Sequence, residues 1–395
     1  MSTVPQAPVL PRLVYIGDVP VEQGIGGSVA LWRLFEDYPP DALLILETTP
    51  SQVGARLPLV RYGRLSPALA RLERTRFAPL VLWFLLATAR LRARGISAEL
   101  ERFSPQAVLT VTHGVSWLAA AEVAARWRIP LYLINHDCWF ETLRIPRLMR
   151  TWLHRQFEIV YRQAKARFCV SQEMAAYYQK IYGAQGAVLY PARARNSPIF
   201  CEWPGENAHR PFSLAYAGGI YDGCADVLAA VAEMLEGLNG RLVIFSGLAT
   251  DAPARRKLAR HDIAWEGFVP ACEFVRTLRA KADALLVIRA REMGLNAVIS
   301  FPSKLADYTA AGLPIVLYAP LESAAASWIA HDSGAGQVVE EGDVKRLHAT
   351  IARLAADASL RRLLGESALR RGKACFSHDA VCRQFFAGVA LNVPS

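Results

Sequence analysis

The stretch FPSKLADYTAAGLPIVLY, residues 301–318, decides how the chain is read. Pro302 and Ser303 suit the first turn of a helix, where N–H groups lack intrahelical partners. Lys304 and Asp307 stand three apart and share one side of that helix. Gly312 and Pro314 stop it, and the apolar run Ile315–Tyr318 follows as a fully buried strand. The stretch is thus one helix–strand step of an alternating pattern. Taken alone, Lys304 and Asp307 could equally form an ion pair near a helix start.

Outward from this stretch the alternation runs twice. LVYI (13–16), LLIL (43–46), VLTV (108–111), LYLI (131–134) and FCV (168–170) read as strands, with amphipathic stretches near 116–128, 146–166 and 171–183. The second series is LAYA (214–217), LVIF (242–245), LLVI (285–288) and IVLY (315–318), with helices expected at about 224–238, 270–281, 302–311 and 322–331. Continuous apolar strands alternating with helices mean parallel sheets covered on both faces. At 395 residues the chain exceeds one ordinary core. The fold class expected is α/β, with two doubly wound Rossmann-like domains facing across a cleft. Periodicity lapses in ARNSPIFCEWPGENAHRPFS, 194–213, and the boundary is placed there. Residues 1–205 then form the first domain and 206–375 the second. A C-terminal helix in 376–395 is expected to pack back on the first.

Composition narrows the class further. With 53% hydrophobic residues the chain is globular. Its 7 cysteines are scattered without a Cys-x-x-Cys pair, which points to a reducing compartment and away from structural zinc. The start of the chain lacks the charged and apolar regions of a signal peptide, so a cytoplasmic location is expected. The run Phe77–Ala89, interrupted by Pro79, is too short to span a bilayer and suits a core or interfacial helix. Net charge is +10, of which window 71–100 holds +4 and window 141–170 holds +5. On a helix, Arg144, Arg147, Arg155, Arg162 and Lys165 fall within an arc of roughly 80°. Such a stripe can hold an anionic membrane surface or nucleic acid, or form a solvated face.

In open α/β sheets, ligands lie beyond the carboxyl ends of the strands. After 13–16 come Gly24, Gly26 and Gly27, then Ser28 and a helix start, a place for an anion. The G-x-G-G spacing is not a dinucleotide fingerprint. After 108–111 comes His113, and after 131–134 come His136 and Asp137, a pair suited to proton or phosphate work. Gly218 and Gly219 follow 214–217 and allow close approach of a ligand to the backbone. Arg289, Arg291, Glu292, Asn296 and Ser300 lead from 285–288 into the opening stretch. Lys304, near the free amides of its helix start, would neutralise a diphosphate, and Asp307 would accept ribose hydroxyls. The opening stretch reads as a nucleotide clamp.

With these residues in place, the chain resembles the GT-B glycosyltransferases, from about residue 12 to 380. The resemblance is to the large retaining bacterial branch that builds polysaccharides and glycolipids. FPSKLADYTAAGLPIV is similar to that branch's donor motif, and residues 334–368 to the segment that follows it. ARFCVSQEMAAYYQKIYG resembles the end of the acceptor domain, and IPLYLINHD the strand carrying the active-site histidine, so the resemblance makes 1–205 the acceptor-binding domain and 206–375 the donor-binding domain. The resemblance implies that Lys304, with Ser303, holds the donor diphosphate and Asp307 the ribose, where the family usually has Glu. It implies further that Gly26 and Gly27 approach the donor phosphate and that His136 meets the transferred sugar. Ile299 stands where most members carry Glu, so sugar contacts fall to Glu292 or Asn296. The Arg and Lys that usually follow the first donor-domain strand are absent from AGGIYDGCADVL, which leaves Lys304 and Arg291 to carry the phosphate charge.

The activity expected is transfer from a nucleoside-diphosphate sugar, UDP or GDP, to a saccharide or lipid-linked acceptor. Neither a cofactor nor a metal is expected, and no Asp-x-Asp motif sits in a suitable loop. Retention follows from the resemblance alone; inversion would need a base, for which Asp18, Glu22 or Asp137 are candidates. The Arg-rich windows are expected at the inner face of the plasma membrane and not on nucleic acid. A GT-B nucleotide-sugar epimerase and a non-catalytic basic protein binding nucleic acid or an anionic polymer remain as alternatives.

Overall fold

The computed structural model describes residues 9–24, 26–48, 54–65, 78–138, 140, 147–205, 210–220, 222–246, 252–331 and 334–391. Arg71, Arg74, Arg76 and Arg144 of the basic windows lie outside them. Two compact units divide the chain, residues 1–190 with 381–395, and residues 191–380.

In the first unit seven parallel strands lie in the order β3-β2-β1-β4-β5-β6-β7. Here β1 is Leu13–Gly17, β2 Leu43–Glu47, β3 Arg61–Arg64, β4 Ala107–Val111, β5 Leu131–Asn135, β6 Ala166–Cys169 and β7 Ala187–Val188. β1, β2, β4 and β5 are buried along their whole length, as continuous apolar runs demand. The order reverses between β1 and β4, which opens a crevice at their carboxyl ends. The C-terminal helix His378–Val389 closes this unit from its fourth residue onward. Phe385 lies 6.1 Å from Phe35 and 5.6 Å from Phe168 in ring-to-ring contact, and the Tyr132 hydroxyl donates to the Val389 carbonyl at 3.2 Å.

In the second unit six parallel strands lie in the order β10-β9-β8-β11-β12-β13. β8 is Ser213–Ala217, β9 Arg241–Phe245, β10 Ile263–Trp265, β11 Ala284–Ile288, β12 Ile315–Ala319 and β13 Gly336–Glu340. Its switch point lies between β8 and β11. The helix Lys304–Ala311 runs into β12 through Gly312, whose φ of 66° is the left-handed cap that a side chain resists. Tyr308, fully buried, pins this helix to the switch point. Its hydroxyl accepts from the Ala217 amide at 2.7 Å and donates to the Leu286 carbonyl at 3.3 Å.

Three expectations change. The first division falls after Tyr190, ahead of the expected 205, and Arg193 shows why. Its guanidinium donates to the Ala306 carbonyl at 3.1 Å and the Thr309 hydroxyl at 3.2 Å, so residues 191–205 belong with the second sheet. The second crossing falls at Val381, within the helix that was expected from 376. Four strands, β3, β7, β10 and β13, join beyond those read from apolar runs, and all sit toward the rims of their sheets.

Candidate functional site

At the switch point of the second sheet, β8 ends on Ala217 and the chain turns through Gly218 at φ 134°, outside the range of most side chains. Lys304 fills the space this glycine leaves. A Cβ on Gly218 would stand 2.9 Å from Lys304 Nζ. The ammonium lies 4.4 Å from the centre of the Tyr216 ring, whose hydroxyl donates to the Gly219 carbonyl at 2.8 Å. Burial pulls the Lys304 pKa down to about 8, with the Cys224 thiol opposing and the Arg289 charge adding to the fall. A lysine desolvated beside a second cation is poised to take up an anion.

Arg289, first residue after β11, is that second cation. Its guanidinium donates to the Asn296 carbonyl, and its amide to the Tyr318 carbonyl at 2.9 Å. Arg291 is placed otherwise. Its guanidinium contacts Glu322 at 2.7 Å and Glu340 at 2.5 Å, and its amide donates to Glu341. Three carboxylates thus surround the residue expected to carry phosphate charge, and Arg289 stands near Lys304 instead. Arg289 stands directly after a strand end, where such sheets bind ligands, but outside the motifs that carry the resemblance.

The start of the Lys304 helix is a tight turn. The amides of Leu305 and Ala306 bond back to the carbonyls of Pro302 and Ser303, and Ser303 itself is helical with no side-chain capping bond. Asp307 is half-buried one turn on, and its charge favours the charged form of Arg193 against the effect of burial. Glu292 is exposed, with its carboxylate against Gly223, where a Cβ would stand 2.5 Å from Oε2. Asn296 is buried, and its carbonyl and Oδ1 accept from the Ser300 hydroxyl at 2.9 and 3.1 Å. The second unit therefore brings Gly218, Gly219, Lys304 and Arg289 together, while Asn296 serves its own loop.

The first unit carries a second cluster. Gly26, at φ 57°, precedes the helix Gly27–Phe35, and a Cβ on Gly27 would stand 3.3 Å from His136 Nδ1. The glycine thus lets the helix start press on the imidazole at the end of β5. Burial pushes the His136 pKa down to about 4, against the Asp137 charge and with that of His113. The ring is neutral near pH 7 and can donate or accept one hydrogen bond.

Asp18 has a different task from that of a free base. Oδ2 accepts from the amides of Val115 and Ser116 at 2.8 Å each, and Oδ1 accepts from the hydroxyls of Ser116 at 2.6 Å and Thr48 at 2.8 Å. It caps the helix Ser116–Trp127 and ties β1 to β4 at the switch point. Glu22 is buried, with the Gly54 amide 3.4 Å from Oε2, and lies near Glu47, whose pKa burial raises. Asp137 is half-buried beside His136.

The basic windows divide in the same manner. Arg92 is buried and donates to the Leu85 carbonyl at 2.7 Å. Arg162 meets Glu158 at 3.0 Å and the Tyr182 carbonyl at 2.7 Å. Arg167 donates to the carbonyls of Tyr161, Arg162 and Ala164. Helix Arg147–Gln163 ends before Lys165, so the expected stripe does not extend that far. Much of this charge satisfies helix-end carbonyls.

Residues 61–192 match the family model Glycosyltransferase Family 4. No curated protein matches the chain. Among solved structures, sucrose-phosphate synthase from Thermosynechococcus elongatus is 15% identical at a TM-score of 0.68, over 94% of this chain and 97% of that one. HepE of Anabaena, in complex with UDP and glucose, is 12% identical at 0.66, over 95% and 98%. The lipopolysaccharide outer core galactosyltransferase WaaB is 14% identical at 0.63, over 95% and 98%. The fold is that of the GT-B glycosyltransferases. With the family match it makes this chain a transferase enzyme of the glycosyltransferase class.

Proposed function

We propose that the chain transfers a sugar, with retention and without a metal, from a nucleoside-diphosphate donor to a saccharide or lipid-linked acceptor. The product would belong to a surface polysaccharide or glycolipid. The observation that carries this reading is Lys304, desolvated against Gly218 and Tyr216 at the switch point of the second sheet. A departing diphosphate gains charge as the glycosidic bond breaks, and a fixed ammonium with Arg289 behind it answers that charge. Amides of Ser303 and Lys304 add to it, and Asp307 takes the ribose hydroxyls. HepE, solved with UDP and with UDP-glucose, supports a uridine donor.

In the first unit, the neutral His136 can donate or accept one hydrogen bond, and the family resemblance assigns it to the sugar and the Gly26–Gly27 turn to the donor phosphate. Asp137 is the carboxylate beside it. A lipid-linked acceptor would bring this unit to the inner face of a plasma membrane.

The test is a thermal-shift series with UDP, GDP, ADP and dTDP on wild type and Lys304→Ala, followed by donor turnover. A bound nucleotide raises the melting temperature of wild type and not of the variant. A protein that none of the four stabilises, or a variant with wild-type turnover, would falsify the donor assignment.

A further inference from the structure

The helix Ala78–Ala87, APLVLWFLLA, contains no charged residue, yet only part of it is covered. Val81, Leu85 and Leu86 are buried, whereas Leu80, Trp83 and Phe84 are 65%, 59% and 48% exposed. The Thr88 hydroxyl donates to the Phe84 carbonyl at 2.6 Å, and the Arg92 amide to the Thr88 carbonyl at 2.9 Å. The following helix Ala89–Gly95 therefore continues nearly in line. Its Leu91 is 62% exposed. Positions 80, 83, 84, 87 and 91 follow helical spacing, so the exposed apolar side chains make one stripe. Exposed Arg90 and Arg94 border its far end, and Arg90 Nε reaches Glu122 at 3.0 Å.

We infer that this stripe seats the first unit on an anionic lipid surface, lying in the interface with its arginines at the headgroups. This deepens the membrane reading given above, and it stands independently of the donor site. Three observations choose the occupant. The apolar part of this helix is ten residues and rises about 15 Å, half of a hydrocarbon core, and its continuation carries Arg90, Arg92 and Arg94, so the segment lies on a bilayer and does not cross it. Tryptophan and phenylalanine on the wet face are the side chains that settle at headgroup level. The exposed Arg90 and Arg94 at its far end are complementary to phosphatidylglycerol. A second copy on this face would add its own exposed Arg90 and Arg94, which like charge opposes. The apolar stripe, more than the arginines, makes the contact, because Arg92, Arg162 and Arg167 are engaged with the protein's own carbonyls.

Flotation of the full chain with vesicles tests this. Vesicles of roughly 7:3 phosphatidylcholine to phosphatidylglycerol are compared with pure phosphatidylcholine at low and high salt. The variants are Leu80→Gln/Trp83→Gln/Phe84→Gln and Arg90→Glu/Arg94→Glu. Wild type is expected to float with the anionic vesicles, and the triple variant to lose partitioning by on the order of a hundredfold. The arginine variant is expected to lose about tenfold and most of its salt dependence. The melting temperature of both variants without ligand stays close to that of wild type, which confirms folding and keeps this result separate from failure of the donor reading. Wild type that stays in the dense fraction with both vesicles overturns the inference. So does a triple variant that floats as wild type, or a self-association in sedimentation velocity that the triple variant abolishes.

Discussion

Lys304 is a lysine whose ordinary charge has been made costly, and its pH behaviour follows. In the unliganded protein it releases its proton near pH 8, below the 10.5 of a free lysine. A bound diphosphate favours the charged form and holds the proton to higher pH. Binding therefore takes up a proton above pH 8, and nucleotide affinity should fall as pH rises through that value. Titration calorimetry with UDP should show a Kd flat below about pH 7 and rising toward tenfold per unit above 8. Lys304→Arg should remove the break, since a guanidinium stays charged throughout. The sign for stability is opposite. The unfolded chain holds this proton more tightly, so folding without ligand gains stability as pH climbs from 8 toward 10.5. Asp18 offers a contrasting test. With four hydrogen bonds already made, Asp18→Asn should cost about 2 kcal/mol of stability in urea. A stable variant without turnover would instead restore it as a base.

At the scale of elements, the fit of helix to sheet places the site. Tyr308→Phe leaves the Ala217 amide without its acceptor, beneath the turn that carries Gly218. A loss of about 1–3 kcal/mol is expected in urea unfolding, with UDP affinity falling less than in Lys304→Ala. Preserved stability would show that the helix seats itself without that bond. The same scale shows what was legible in the sequence. Fully buried strands were plain, because a strand covered on both faces must be apolar throughout. β3, written Arg-Tyr-Gly-Arg with both arginines exposed, and the two-residue β7 carry no such signal. The helix Lys304–Ala311 was legible because glycine and proline punctuate it. Arg291 and the basic stripe were not, since charge in a sequence does not reveal whether a carboxylate, a carbonyl or a ligand receives it. The four donors that hold Asp18 were hidden for the same reason.

Across the whole molecule, chain order and unit order differ. The second unit is one continuous segment, while the first needs residues 381–391 to complete its core. Phe385 stands against Phe35, Phe168 and Phe386, with centroids 6.1, 5.6 and 5.8 Å away. Truncation to alanine should leave a cavity in the first unit and cost about 3–5 kcal/mol there. The nucleotide, if the donor reading holds, stabilises the second unit by about 2.7 kcal/mol at a hundred times its Kd. The two perturbations should therefore act on separate transitions in calorimetry. Phe385→Ala lowers one, UDP raises the other, and the variant binds UDP with wild-type affinity. A single transition that moves with both would mean that the units unfold as one body, so that donor binding and the C-terminal closure share one equilibrium.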